Sequence, residues 1–566
     1  MKKVAWSLCA LFVIIVSALV LPKINEKSPT DSPSESVGYP GALIIPYFDF
    51  AKTAREKFLD ELVKTSKPNK VILLSANHFD SSADFLVTKR KWEFIDQKVE
   101  TDNAAVQNLI DTKIATLDES VFENEQGINN VLPEVQKKFP SAKITPILVK
   151  KDVAKDKLES LVSYFATNCP DCFLVGSVNF SHDQPSSLAQ IHDQTTIDAL
   201  KSQDEERVLS SETDSPETLF ILTRWGKLNK LNFSLYQNSN SGLVQQDYES
   251  GTTSWVIGEY KKDVVTEAAK TSFLFGGDIM FDRMVNRTMQ KLGYDKAFAS
   301  LGETTFYGAD IRIANLEGPI SGEKVDDDVT PDNLTFDFPI DSLKASEYLN
   351  FSFLSLSNNH SQNAGLDGLT NTREILTDSK ITPIGSQSSF DETNIARFDS
   401  AGIKVSIIAV NILSLDNHSE LISAAKKEKE QGRYVIFFPH WGNEYNTTHS
   451  VAQEQLAYQM IDNGADLIIG SHPHVIQDSE IYKNKLIVYS LGNFIFDQTF
   501  SKETQRGVLV GGVIDKDALT VSFFPIEIKN YQPKLLRGQE RSDILKHVVP
   551  SGTELRNGDT ILLKSN

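Results

Sequence analysis

Apolar positions from Tyr39 to about Tyr260 gather in short runs separated by polar, helix-patterned stretches. Gly41 to Pro46 and Val71 to Ser75 have strand length, and the amphipathic stretch between them predicts a helix from about Thr53 to Thr65. A third run, Phe173 to Val178, ends at Asn179. This alternation predicts a mostly parallel sheet with crossover helices. The polar stretch Lys261 to Thr271 marks a boundary, and a second α/β segment follows from Ser272 to about Val549. No repeat of solenoid length is visible.

In the second segment an apolar run ends five times in a short polar cluster: FLFGGD at Asp278, IRIANLE at Glu317, SFLSLSNNH at His360, YVIFFPHWG at His440 and DLIIGSHPH at His474. Strands that deliver polar side chains at their carboxyl ends build a site along one rim of an α/β sheet. A helix from Val451 to Asn463 precedes the fifth run. Ser450 and Gln453 have capping-box spacing, Leu456, Met460 and Ile461 recur helically, and Gly464 ends it.

The N-terminus has a different pattern. Lys2 and Lys3 precede an uncharged apolar stretch from Val4 to Leu21, and Asn25 to Gly38 is a Ser/Pro-rich polar tether. No small-residue cleavage site closes the apolar stretch, so it reads as a single membrane anchor in preference to a cleaved secretory signal. Either reading places the bulk of the chain outside the cytoplasm.

Composition narrows the function classes. The chain has 566 residues, enough for two or more domains, with 40% hydrophobic and 23% charged positions, as in globular proteins. A net charge of −19 argues against nucleic-acid binding. Three cysteines rule out a disulfide-built scaffold, and Cys169 and Cys172 form a lone C-x-x-C that can close as a small disulfide.

The residues at the strand ends are those a divalent metal needs. Asp278 and Glu317 offer carboxylate oxygen, Asn359 a carbonyl oxygen, and His440, His472 and His474 imidazole nitrogen. In an extended H-x-H, His472 and His474 point to the same side and reach one metal or two adjacent ones. Mixed N/O ligands suit Mn, Zn or Fe. Each residue alone is more simply a cap, turn or core hydrogen-bonding group; six at the ends of buried-type strands favour metal. Glu444 and Asn493 are candidate substrate-binding groups, with a surface position and a turn as their plainer readings.

GDIMFDR (Gly277 to Arg283), ANLEGPI (Ala314 to Ile320), SNNH (Ser357 to His360), HWGNEY (His440 to Tyr445), IDNGADLIIGSHPHV (Ile461 to Val475) and YSLGNFIFD (Tyr489 to Asp497) resemble the capsule-synthesis CapA family of the calcineurin-like metallophosphatase superfamily. That family is associated with poly-γ-glutamate capsules. The resemblance implies a four-layer α/β/β/α sandwich. It further implies that Glu317 bridges two metals, with Asn359, His440 and His472 on one and Asp278 and His474 on the other, and that His360 is the acid for the leaving oxygen. The sequence departs from the pattern at Met280, where the superfamily has a histidine, at Asn363, where an aspartate is common, and at Ser471, where a second histidine is frequent.

The first segment resembles the Memo-like proteins, component B of the AmmeMemoRadiSam group. The resemblance lies in Val71 to Phe85, Ile128 to Val149, Gly176 to Asp183 and Tyr236 to Tyr260. It implies a fold like that of class III extradiol dioxygenases. His78 and His182 match family histidines; the opening P-H-A-G-Y is here Pro46 to Phe50, and the mid-chain histidine segment reads Glu125-Gln126-Gly127. Two histidines without a third partner imply a vestigial pocket that binds a ligand or partner without redox metal. The expected organisation is an anchor or signal over 1–21, a linker over 22–38, a Memo-like domain over 39–262, a CapA-like domain over 270–549 and a tail over 550–566.

Two function classes remain: a metal-dependent hydrolase acting on a phosphoester or on a bond of an anionic envelope polymer, and a non-catalytic scaffold that binds such a polymer within a capsule export assembly.

Overall fold

The computed structural model describes residues 41–79, 82–95, 97–264, 269–321 and 334–564. In the N-terminal half four strands run parallel in the order Gly41–Ile45, Phe173–Ser177, Lys70–Ala76, Lys143–Val149. Alternate side chains leave opposite faces: Ala42, Ile44, Ile72 and Leu74 enter one core, Leu43, Ile45, Val71 and Leu73 the other. Burial on both faces explains why these runs are continuously apolar. The sheet is more mixed than expected. Thr252–Lys261 pairs antiparallel with Gly41–Ile45, Asn232–Asn240 pairs antiparallel with Thr252–Lys261, and Phe85–Val87 pairs antiparallel with Lys143–Val149. Phe85–Val87 is too short, and Asn232–Asn240 too polar, to stand out as an apolar run of strand length.

The C-terminal half has two sheets. In the first, Thr382–Ile384, Phe353–Ser355, Ile311–Leu316 and Lys270–Ile279 are parallel neighbours, and Arg506–Asp515 and Ala518–Lys529 continue antiparallel. In the second, Ile403–Asn411, Tyr434–His440, Leu467–Ile469 and Lys485–Val488 are parallel, with antiparallel strands at both edges. Phe273, Phe275, Ile311 and Ile313 of the first sheet pack on Val405, Ile407, Ile436 and Phe438 of the second. Phe275 and Phe438 meet edge to face with centroids 5.4 Å apart.

The outer face of the first sheet is covered by helices including Arg283–Leu292 and Gly365–Asp378, that of the second by Ser419–Glu430 and Val451–Asp462. The architecture is α/β/β/α. Val451–Asp462 starts at a reciprocal capping box of Ser450 and Gln453, as their spacing predicts. Thr560–Lys564, within the stretch expected as a tail, pairs with Ala518–Lys529.

The two halves lie within one compact unit, Gly38–Asn566. Their contact centres on the helix Ser186–Ser202: Leu188 and Ile191 enter the core of the C-terminal half, Ile197, Ala199 and Leu200 that of the N-terminal half. Ser187 donates to Asp559 at 2.7 Å, Arg541 donates to the same carboxylate at 2.7 Å, and His192 Nε2 lies 3.1 Å from the Thr305 carbonyl.

The expectation of a single-pass membrane protein is corrected. Among the described residues no helix is long and apolar enough to cross a membrane. Val4 to Leu21 and the tether Asn25 to Gly38 lie outside the described residues.

Candidate metal centre

Asp278 sits near the end of Lys270–Ile279, where the backbone runs so close to Gly492 that a Cβ on Gly277 would fall 1.9 Å from the Gly492 carbonyl oxygen. Glycine is required there, and Asp278 N donates to that same carbonyl at 3.1 Å. Glu317 follows the parallel neighbour Ile311–Leu316, Asn359 and His360 follow Phe353–Ser355, and His440 ends Tyr434–His440. Carboxyl ends of strands from both sheets therefore supply the site, which explains why residues far apart in sequence converge.

His472 and His474 depart from the extended geometry expected of them. Their strand ends at Ile469, and both have left-handed backbones, with φ of 98° and 57°. Such conformations cost of order 1 to 3 kcal/mol each and gather where the surrounding structure fixes a side chain for function. The loop aims the two rings at different neighbours, with centroids 5.9 Å apart.

Ligand atoms of Glu317, His440 and His472 come within 4.8 Å of one another, as do those of Asp278, Glu317 and His474, and those of Glu444, His472 and His474. Glu317 belongs to the first two groups. His440 Nε2 lies 2.8 Å from Asn359 Oδ1. His474 Nδ1 is 3.4 Å from Asp278 Oδ2 and its Nε2 3.4 Å from Glu317 Oε1. His360 Nε2 is 4.0 Å from Glu317 Oε1. All six residues expected to bind metal are together, with His360 beside them and the exposed Glu444 at the mouth.

Several polar side chains fix these groups. Asn315, two residues before Glu317 on the same strand face, donates to Asp278 Oδ1 at 2.8 Å. Asn363 Oδ1 accepts from Phe336 N at 3.0 Å, so it can only accept from His360 Nδ1, also at 3.0 Å. That leaves Nε2 of a neutral His360 turned toward Glu317. Asn493 Nδ2 donates to the Thr504 carbonyl at 2.9 Å and to Gln498 at 3.1 Å, so its Oδ1 accepts from His474 Nδ1 at 3.0 Å. Asn493 is wholly buried behind His474. Ser471 Oγ is 3.1 Å from His440 Nδ1.

The electrostatics call for a cation. Glu317 is fully buried and its Oε1 has no hydrogen-bond partner; His472 Nδ1 is likewise unpartnered. Burial, reinforced by Asp278, drives the Glu317 carboxyl well above its usual range. Burial opposes charge on His474 too, yet Glu317 and Asp278 push it up to about 9. Burial, together with His474, brings His472 down to about 4, and burial with the neighbouring imidazoles takes His440 well below its usual value. Burial also lowers His360. Two buried carboxylates beside the neutral imidazoles of His440 and His472, with Glu317 Oε1 and His472 Nδ1 lacking hydrogen-bond partners, form a donor set that fits a divalent ion, which would take the place of the proton on His474.

Residues 272–498 match the family model "Bacterial capsule synthesis protein PGA_cap", and residues 25–250 match "Memo-like protein". The chain joins a Memo-like domain to a PGA_cap domain. It is 29% identical over 288 residues to "Capsule biosynthesis protein CapA" of Bacillus anthracis, covering 47% of this chain and 70% of that protein. It is 29% identical over 294 residues to "PGA biosynthesis protein CapA" of Bacillus subtilis, covering 48% and 74%. A "MEMO1 family protein" of Caldivirga maquilingensis is 25% identical over 152 residues, covering 26% and 54%.

In the PGA_cap domain, Met280 is buried with its sulfur accepting from Asp282 N, and it takes no part in the ligand groups. The Memo-like domain does not bring His78 and His182 into a comparable cluster: among the described residues no metal-binding trio of His, Cys, Asp or Glu forms there. His78 is held by Glu125 and Tyr47, and His182 pairs across to Thr253. Cys169 and Cys172 form a disulfide.

The sequence reading missed Asn315 and the supporting roles of Asn363, Ser471 and Asn493. Asn315 could have been found from its period-two relation to Glu317. The others depend on which loops meet across the rim.

Proposed function

We propose that the PGA_cap rim is the divalent-metal centre of a hydrolase acting on a phosphoester, or on an amide or ester bond of an anionic envelope polymer of the poly-γ-glutamate type. The observation that carries this reading is the buried Glu317 carboxylate, whose Oε1 has no hydrogen-bond partner and which belongs to both ligand groups. Glu317, Asn359, His440 and His472 would hold one ion, and Asp278, Glu317 and His474 a second, with Mn, Zn or Fe as the candidates. Bound there, the ions supply Lewis-acid polarisation of a phosphoryl or acyl oxygen.

The remaining steps belong to the chain. Asn363 fixes the tautomer of His360, so its Nε2 is the atom that takes up a proton and passes it to a leaving oxygen at the rim. Asn493 and Asn315 hold His474 and Asp278 in place. Glu444, exposed at the mouth, orients substrate.

A binding-only role, as a polyanion scaffold of a capsule export assembly, is the second reading. Met280 favours it, since a thioether turned toward Asp282 leaves the Asp278 position one imidazole short.

The test uses the full chain loaded with Mn or Zn and an aryl phosphodiester. Hydrolysis is expected, and His360→Ala should reduce kcat about 100-fold or more. Undiminished turnover in that variant would overturn the proposed acid, and metal content near zero after dialysis against Zn or Mn would overturn the metal centre.

A further inference from the structure

The loop that leaves His440 and the segment that leaves His474 meet a second time, at groups the rim does not use. His449 precedes the helix Val451–Asp462, which carries Glu454, and Asp478 precedes the strand Ser479–Tyr482, which carries Glu480. Ligand atoms of His449, Glu454 and Glu480 lie within 4.8 Å of one another, and none of the three residues belongs to the rim groups. All three are partly buried, so they are held in place yet open to solvent. Gln477 already ties the two segments together: its Nε2 lies 2.9 Å from the Asn446 carbonyl and 3.2 Å from that of Thr448, and its Oε1 accepts from Gln453 at 3.0 Å.

His449 is presented as a metal-binding imidazole is. Its Nδ1 lies 3.0 and 3.1 Å from the two oxygens of Asp478, and its backbone N donates to Asp478 Oδ1 at 3.0 Å. An ionised carboxylate only accepts, so Nδ1 carries the proton and Nε2 of the neutral ring keeps its lone pair. The ring lies flat on Tyr489, with centroids 3.9 Å and planes 14° apart, which limits its rotation. A carboxylate bonded to the far nitrogen of a ligating histidine fixes both its tautomer and its orientation.

The formal charges call for a cation. Tyr489 donates to Glu480 Oε1 at 2.5 Å. The Tyr458 hydroxyl lies 3.0 Å from Glu480 Oε2 and 3.3 Å from Glu454 Oε1, and its single proton serves one of them. Among the described residues the one ion-pair partner of Glu454, Asp478 and Glu480 is His449, on Asp478. Three carboxylates thus share one imidazole, and like charges so close repel. A proton on His449 adds a single positive charge, whereas a divalent ion adds two and engages lone pairs of all three residues. One imidazole with two carboxylates selects zinc over calcium, which takes about six to eight oxygen ligands.

We propose that His449, Glu454 and Glu480 bind a divalent ion of the zinc class, with water completing the coordination and Asp478 acting as a positioning residue through the imidazole. The ion fastens the loop over 441–450 to the segment over 474–480. Glu444 lies on that loop and His474 opens that segment, so the ion braces two parts of the PGA_cap rim without sharing a ligand with it. Its binding does not depend on the rim holding metal.

The test is equilibrium dialysis of the full chain against Zn2+, with a parallel series in Ca2+, counting ions per chain. Wild type should hold one Zn2+ more than His449→Ala or Glu454→Gln, whatever the rim holds. Glu454→Gln keeps the size of a partly exposed side chain and serves if the histidine variant does not fold. Asp478→Asn should retain the site and weaken it about 10- to 100-fold. With the histidine rings labelled, saturating Zn2+ should move the His449 Nε2 signal and leave Nδ1 protonated. Equal Zn2+ content in wild type and both variants, or an unmoved Nε2 signal, would overturn the proposal, and a Ca2+ ion lost in the same variants would overturn the zinc class. A rim that holds no metal leaves the difference of one ion in place, so failure of the hydrolase reading and failure of this site are read separately.

Discussion

Asp193 sits on the inter-half helix Ser186–Ser202, almost fully buried, with Ser254 donating to one oxygen and Asn238 to the other, each at 2.6 Å. Burial nevertheless pushes its carboxyl up to about 7. The unfolded value is about 3.9. A folded value above the unfolded one means that the stabilising contribution is complete below about pH 4 and lost as the pH rises through about 7. Asp193→Asn keeps both contacts, since an amide oxygen accepts from Asn238 and its NH2 donates to Ser254. The variant should therefore gain on the order of 2 kcal/mol over wild type between pH 5 and 8. Denaturant midpoints at the two pH values check this, and parallel pH profiles for the two proteins would count against it. At the same scale the metal-type residues were readable before the fold was known. Asp278, Glu317, His360, His440 and His474 each close an apolar run, and a chain does not casually place such side chains at the ends of buried strands.

At the scale of elements, the loop carrying His472 and His474 shows where run-pattern reading stops. Spacing alone made the pair an extended H-x-H, but the backbone is left-handed at both residues, in a loop held by groups distant in sequence. Asn493 is one of them, reaching His474 from the strand Asn493–Ile495. Asn493→Ala should leave the fold intact and lower metal affinity about 10- to 100-fold, because the imidazole loses the group that fixes its tautomer and orientation. Competition with a chromogenic chelator measures it, and an unchanged affinity would show that the loop backbone alone positions His474. By contrast, the helix Val451–Asp462 and its capping box could be read locally, because a cap needs only the four residues that make it.

Across the whole molecule, polar groups of the two halves meet at the buried Asp559 and at Arg541. Asp559 is completely buried, and although burial raises its carboxyl, it is met by Arg541 and Ser187. Arg541 also reaches Glu249 in the Memo-like half at 3.1 Å. Removing the cation with Arg541→Ala strands a buried carboxylate and should cost about 3 to 5 kcal/mol. If the contact couples the halves, calorimetry will show one transition moving to lower temperature; two transitions, only one of them shifted, would mean that the domains melt separately. The net charge of −19 acts at this scale too. It repels an acidic polymer from most of the surface, so on the proposed function attraction must come from cations at the rim, whose charge reverses the local field.

The sequence by itself determined the α/β class, the two family resemblances and the polar residues at the ends of the C-terminal strands. All of these depend on short-range patterns: apolar runs of strand length, helical periodicity and motifs whose spacing is local. Only the tertiary structure decided that strands from two sheets share one rim, that Asn315, Asn363 and Asn493 orient the groups beside them, and that Tyr47, His78, Glu125 and Asp214 form a single array in the other half. Tyr47 and Asp214 are 167 positions apart, and the hydrogen bond between them exists because the core brings their loops to the same sheet edge.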